Sequence, residues 1–462
     1  MFAIGLTEEL DDAQTWVVPA GHVPDGELGA EVSALSGPAC AGEITVLPRP
    51  LRRPARVLLA GVGAGDEAGW RAAGAGIVRA LGDDERAQIL LPADAPVRAL
   101  AEGVWFGGYR YRDAPTPPRS GRVDLVAPAS PEQVALLRQA RATATATWLA
   151  RDLTNTPAST KNPEWFADQV VALAADRPGL TATVLAGAEL ERFGGLLAVG
   201  GGSVSPPRFV ELSWTPAGPA RHVVLVGKGI TFDTGGISIK PRDGMKLMKK
   251  DMGGAAAVVA ATLAAAELSL PVRITTLVPL AENAISGSAF RPGDVITHYD
   301  GSTTENTNSD AEGRLVLADA LGYAADRLRP DLVLDLATLT GANAVALGKR
   351  TAALYTPDDE LARALAEAGA AAGERMWRLP LADDYLENLR SDIADRISTP
   401  PGPGSVMAAL FLRDFFGDTP WAHLDMSAPS WAEDHDLELT KGATGWGART
   451  LIRYLSALDG GQ

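Results

Sequence analysis

The chain of 462 residues is longer than one hydrophobic core usually organises, so two or perhaps three domains are expected. Hydrophobic residues at 46% and charged residues at 21% give the profile of a folded globular protein and exclude a disordered one. A formal net charge of -15 argues against general nucleic-acid or anionic-membrane binding, and a single cysteine, Cys40, excludes an intramolecular disulfide and a cysteine-rich zinc site.

The opening Met1-Phe2-Ala3-Ile4-Gly5-Leu6 lacks the basic region and apolar stretch of a secretion signal, so a cytoplasmic location is expected. Across residues 1–130, β-rich runs at Glu43–Leu47, Arg56–Ala60, Gln88–Leu91 and Val123–Val126 alternate with helical stretches such as Glu67–Leu81. This pattern predicts a small N-terminal α/β domain. Gly61-x-Gly63-x-Gly65 follows a strand, but its third glycine is misplaced for a dinucleotide fingerprint, and a plain turn is the better reading. A helical pattern rich in Ala and Leu starts at Ser130 and ends at Asn155-Thr156-Pro157, where proline stops it; residues 131–155 are expected to connect two domains.

Residues 156–462 hold apolar strand-like runs at Val223–Val226, Val272–Leu277 and Leu332–Leu336, separated by helices near Gly254–Leu268 and Ala311–Leu328. The fold class is therefore α/β, with a larger C-terminal catalytic domain built on a mostly parallel central sheet flanked by helices. The most apolar helix candidate, Ala255–Leu268, falls short of the roughly 20 residues a membrane span needs.

In such sheets, active groups gather where strands end and loops begin. Lys228, Asp233 and Lys240 lie on a glycine-rich stretch after the Val223–Val226 strand, and Asp251 follows just before Gly253-Gly254. Taken singly, the lysines and Asp233 read as solvated loop charges and Asp251 as an acid at a helix start. Ser309-x-x-Glu312 fits a capping box, whereas Asp310-x-Glu312-x-Arg314, if extended, would set two carboxylates and a guanidinium on one face. Asp233, Asp251, Asp310 and Glu312 brought to one sheet edge would repel strongly unless cations neutralised them, and two divalent ions balance the four charges. Oxygen-rich ligands with a lysine nitrogen suit zinc, manganese, cobalt or magnesium.

Several separated motifs in one order carry a resemblance: Val226–Pro241, Met248–Val258, Arg291-Pro292-Gly293-Asp294, Asn308–Leu321, Ala337–Ala342, Trp421–Asp425 and Lys441–Gly445. Over Arg151–Leu455 the sequence resembles the leucyl aminopeptidase (cytosol aminopeptidase) family of dinuclear metallopeptidases. The resemblance implies two divalent metal ions per subunit, Mn, Zn or Co, bridged by Asp233 and Glu312. Asp310 would hold the more exchangeable ion, and Lys228 and Asp251 the tighter one. A hydroxide shared by the metals would attack the scissile carbonyl, Lys240 would stabilise the oxyanion, and Arg314 would bind bicarbonate as general base. Thr338, Leu339 and Gly341 match the loop lining the substrate cleft, and Met248 a wall of the side-chain pocket.

The implied activity is removal of the N-terminal residue, leucine or another apolar one, from peptides with a free amino end, by a cytoplasmic homohexamer. Two departures stand out. The acidic motif begins Asn308-Ser309-Asp310 where the family has Asn-Thr-Asp, and Met426–Trp431 replaces a small aliphatic pair near the side-chain pocket, which leaves the leucine preference open. His298 and His423 are expected to serve the core or surface, because the carboxylate set is complete without them. A DNA-binding architectural role runs against the acidic balance, and a gel shift at low salt separates it. A two-metal phosphoesterase is separated by comparing turnover of an amino-acid anilide and a phosphate ester.

Overall fold

The computed structural model describes the chain apart from residues 36, 39, 83–84, 114–120, 176, 219 and 459–462. The chain divides into two compact units, Met1–Trp148 with Ala432–Gly442, and Leu149–Trp431 with Ala443–Gln462.

The first unit is built on strands β1 (Ala3–Thr7), β2 (Thr15–Pro19), β3 (Ile44–Pro48), β4 (Arg56–Ala60), β5 (Arg86–Leu90) and β6 (Arg122–Val126), ordered β1-β6-β5-β2-β4-β3. All neighbours run parallel except β3 against β4. Val17, Leu58, Ile89, Val123 and Leu125 are buried in its core. β1 and β2 are absent from the expected runs, being short and set among polar residues that break any period-2 signal. The Gly61–Gly65 run is a turn: Gly65 N donates to Val62 O, and Asp66 caps the helix Glu67–Ala80 by accepting from Gly69 N at 2.8 Å.

The helix Pro131–Asn155 ends where proline predicts. Within the second unit its last carbonyls meet two ammonium groups: Lys161 Nζ donates to Thr154 O at 2.9 Å and Lys249 Nζ to Asn155 O at 2.8 Å. Cations at the negative end of a helix are favourable, and these two tie it to the turn that precedes Asp251.

The second unit adds β7 (Leu180–Leu185), β8 (Arg208–Trp214), β9 (His222–Gly227), β10 (Gly229–Asp233), β11 (Arg273–Asn283), β12 (Val295–Thr297), β13 (Thr303–Glu305), β14 (Leu332–Ala337), β15 (Ala352–Tyr355), β16 (Met376–Arg378), β17 (Arg396–Ile397) and β18 (Trp421–Asp425). Its main sheet runs β16-β15-β18-β14-β9-β11-β8-β7, with β10 beside β11; β12, β13 and β17 form a small separate sheet. The centre, β18-β14-β9-β11, is parallel throughout. β9 and β14 are buried at every position, as strands covered on both faces must be.

Side-chain alternation directs Val224 and Val226 to one face, where they pack with Leu315 and Val316 of the helix Glu312–Tyr323. Gly227 points to the other face, where an added Cβ would lie 2.6 Å from Ala255 Cα in the helix Gly253–Glu267. The carboxyl ends of the central parallel strands therefore open between the starts of these two helices, and the predicted charged residues follow those ends.

Candidate metal centre

Lys228 stands where β9 passes into β10. Its N–H donates to Leu336 O and its carbonyl accepts from Ala255 N, both at 3.0 Å, so the backbone is stitched to β14 on one side and to a helix start on the other. The side chain then runs over Gly313, where a Cβ would lie 2.6 Å from Lys228 Cε and 2.7 Å from Nζ. Only glycine leaves that path open. Lys228 Nζ ends 2.8 Å from Asp251 Oδ2 and 2.7 Å from Glu312 Oε1, and donates to Thr338 O at 3.1 Å.

Asp233 closes β10 after a register shift against β11 that begins at Ile230. Its Oδ1 accepts from Gly235 N at 2.8 Å and from Asn283 Nδ2 at 2.9 Å, while Oδ2 lies 2.8 Å from Lys240 Nζ. Lys240 also contacts Asp310 Oδ1. Positive φ at Gly235 (84°) and Gly236 (61°) turns the chain back so that Lys240 returns to the aspartate seven positions before it. Ligand oxygens of Asp233, Asp310 and Glu312 lie within 4.8 Å of one another, and Asp251 joins them through Lys228.

Three local expectations are corrected. Asp310, Glu312 and Arg314 are not extended: Ser309–Ala311 is a short 3-10 turn and Glu312 opens a helix. Two residues apart on a helix is a rotation of about 200°, so Arg314 points away from Glu312, donating to Ser398 O at 2.5 Å with its guanidinium 6.0 Å from the Phe411 ring. Nor is Ser309 a capping-box residue, since its hydroxyl donates to Gly235 O and accepts from Ser238 N, while Asn308 accepts from Asp310 N. Asp251 is not a cap either; its Oδ1 accepts from Thr338 Oγ1 at 2.7 Å.

Burial dominates the electrostatics. It raises Asp233, with Glu312 and Asp251 pushing the same way, raises Asp310, and lifts Asp251 to about 6. Burial also acts on Glu312 and on the lysines, but there opposite charges outweigh it: Lys228 and Lys240 hold Glu312 below the usual range, and the carboxylates hold both ammonium groups above theirs. Arg314 is drawn down to about 10 by burial, against the pull of Glu312 and Asp425.

Two of the residues matched to the substrate cleft, Met248 and Thr338, contact Asp251 directly. Met248 is half-buried on the turn before it, Thr338 bonds it, Leu339 is half-buried and Gly341 exposed. Sequence reasoning missed what holds this loop. Asp425, fully buried at the end of β18, accepts from Leu339 N (3.1 Å), Thr340 N (3.0 Å), Thr340 Oγ1 (2.7 Å) and Ser427 N (3.1 Å). It also missed Asn283, whose amide bridges Asp233 and Ser309 O at 3.0 Å. Asp425 closes the motif Trp421–Asp425, which does not disclose its partners, and Asn283 carries no local signal beyond standing at a strand end. His423 is buried with Nδ1 2.5 Å from Asp335 Oδ1, and His298 is buried between Asp319 and Thr304, both in the core.

These residues fit a divalent centre. Each of the four carboxylates touches one of only two ammonium groups, so the cluster keeps a net charge of two negatives, and Glu312 Oε2 is buried without a hydrogen-bond partner. Fold and site thus define an α/β protein with a carboxylate-rich metal centre at the carboxyl edge of a parallel sheet. Residues 148–452 match the Cytosol aminopeptidase family, catalytic domain. Probable cytosol aminopeptidases from Leifsonia xyli and Syntrophotalea carbinolica are each 42% identical, covering 97% and 93% of this chain and 94% and 91% of their own.

Among solved structures, the bottromycin maturation enzyme BotP in complex with Mn is 43% identical with a TM-score of 0.87, covering 96% of this chain and 99% of its own. A tomato leucine aminopeptidase mutant is 30% identical with a TM-score of 0.87, covering 99% and 97%. The chain belongs to the cytosol aminopeptidase family, and is an exopeptidase hydrolase that depends on metal.

Proposed function

We propose that this enzyme removes the N-terminal residue of peptides with a free amino end, with two divalent ions held by Asp233, Glu312, Asp310, Asp251 and a neutral Lys228. The observation that carries this reading is the convergence of three carboxylates within 4.8 Å, flanked by Lys228 and Lys240. When bound, two such ions polarise the scissile carbonyl and acidify the attacking water. Mn, Zn and Co suit the donor set, and Lys228 serves as a ligand because neighbouring cations favour the neutral amine.

Lys240 takes the role of cation toward the developing oxyanion; its ammonium sits on the more open side of the cluster, where Asp310 is also partly exposed. Arg314 is the candidate holder of a bicarbonate that accepts and returns the proton. Thr338, Leu339 and Gly341 line the cleft and Met248 bounds the pocket that takes the first side chain of the substrate. The assembly is a homohexamer acting in the cytoplasm; among the described residues no helix is long and apolar enough to cross a membrane.

A metal-replete digest of a peptide library with free and acetylated amino ends tests the reading. Free ends should be shortened residue by residue and acetylated ends should resist; equal cleavage of both would sink it.

A further inference from the structure

Lys250 lies on the turn Met248–Lys250 that leads directly into Asp251, and the metal centre does not use it. It is half-buried and forms no ion pair among the described residues. Its Nζ donates to Ser427 O at 2.9 Å and to Ser430 Oγ at 3.1 Å, two neutral acceptors that occupy two of the three ammonium donors. Asp251 and Asp425 attract this ammonium without touching it, and its direct contacts are neutral, so it gains most from an incoming negative partner in contact.

The surroundings place that charge beside the cleft. Ser427 and Ser430 follow Asp425, whose carboxylate anchors the backbone of Leu339 and Thr340, and Thr338 of the same loop bonds Asp251. The turn carrying Lys250, the loop Thr338–Gly341 and the segment Ser427–Ser430 therefore converge on one side of Asp251. Met248, Lys250, Leu339, Thr340 and Ser427 are all half-buried there and Gly341 is exposed, so these groups stay within reach of solvent.

We propose that Lys250 is a specificity-determining residue that selects peptides whose N-terminal side chain carries a carboxylate, aspartate or glutamate. The proposal rests on the reading above, in which Met248 and the loop Thr338–Gly341 bound the substrate side chain. An acidic side chain supplies the third, charge-assisted bond to the ammonium; an apolar one leaves it unpaired, and a basic one is repelled.

The test compares kcat/KM on glutamyl, aspartyl, leucyl and lysyl anilides for the full-length, metal-replete enzyme and for Lys250→Met, Lys250→Arg and Lys250→Glu at equal metal content. The acidic anilides should match or exceed the leucyl one in the parent. Lys250→Met should lower the acidic-to-leucyl ratio by about tenfold or more, Lys250→Arg should keep it, and Lys250→Glu should turn preference toward the lysyl anilide. A tether of merely structural value would not invert with charge. Leucyl turnover without acidic turnover, or a ratio unmoved in Lys250→Met, overturns the proposal alone. Absence of turnover on every free-amine anilide overturns the aminopeptidase reading and this proposal with it.

Discussion

Lys228 and Lys240 bring the same charge into one cluster, yet their surroundings assign them different work. Lys228 is fully enclosed and touches Asp251 and Glu312, whereas Lys240 is partly open and touches Asp233 and Asp310. Lys228→Ala should lower metal content below two ions per chain together with the rate. Lys240→Ala should keep both ions while kcat falls by about 10² to 10³, the usual cost of losing one oxyanion donor, with a smaller change in KM. Elemental analysis with steady-state kinetics reads both; the opposite metal pattern would exchange the two roles.

His222 offers a pH dependence away from the metal centre. Burial pushes it down to about 4, helped by Arg273, and its Nε2 lies 2.9 Å from Thr275 Oγ1. Between an unfolded value of about 6.5 and that folded value, the unfolded chain binds a proton that the folded chain refuses, so the neutral ring's contribution is complete above about pH 6.5 and is lost as pH falls toward 4. About 1 to 3 kcal/mol is involved. Urea unfolding at pH 7 and 4.5 should show a smaller difference for His222→Gln than for the parent; an unchanged difference would remove His222 from the account.

At the scale of elements, the helix Glu312–Tyr323 does two jobs with neighbouring residues. Glu312 presents a carboxylate, and Gly313 clears the channel along which Lys228 reaches it. Gly313→Ala would drive a methyl group into Lys228 Cε and Nζ, both held at their far end by Asp251, Glu312 and Thr338 O. The variant should fold with a loss of about 1 to 3 kcal/mol, as overpacked cores do, but misplace Lys228 enough to cost about 10² in kcat. Gly244→Ala, with nothing within 4 Å of its Cβ, is the control for alanine as such. Equal activity of the two variants would show that Lys228 does not need its present path.

For the whole molecule, the two uncompensated negative charges make metal binding and folding one equilibrium. Ions that bind only the folded chain stabilise it by about 2.7 kcal/mol per site at a hundredfold excess over Kd. Exhaustive chelation should abolish activity and lower Tm, and Mn, Co or Zn should restore both; full activity in metal-free enzyme, verified by elemental analysis, would sink the dinuclear mechanism. Light scattering checks the assembly: a hexamer gives six times the 48.1 kDa of one chain.

The identities of the candidate groups were legible in the chain itself: strands β9 and β14 read as buried runs, and Lys228, Asp233, Asp251, Asp310 and Glu312 stand just beyond such runs or at helix starts. Period and strand-end position are local properties, carried by neighbouring residues. Pairing was not local. Which lysine meets which acid, the Thr338 bond to Asp251 across 87 positions, the Asn283 bridge to Asp233 across 50 and the Asp425 anchor on Thr340 across 85 follow from strand order in the sheet. The same tertiary setting overrode the local readings of Ser309 and Asp251 as helix caps, because Gly235 and Ser238 offered Ser309 better-placed partners and Lys228 and Thr338 did so for Asp251. A buried polar group is committed to whichever partners the fold delivers, and that choice is made only when distant strands are laid side by side.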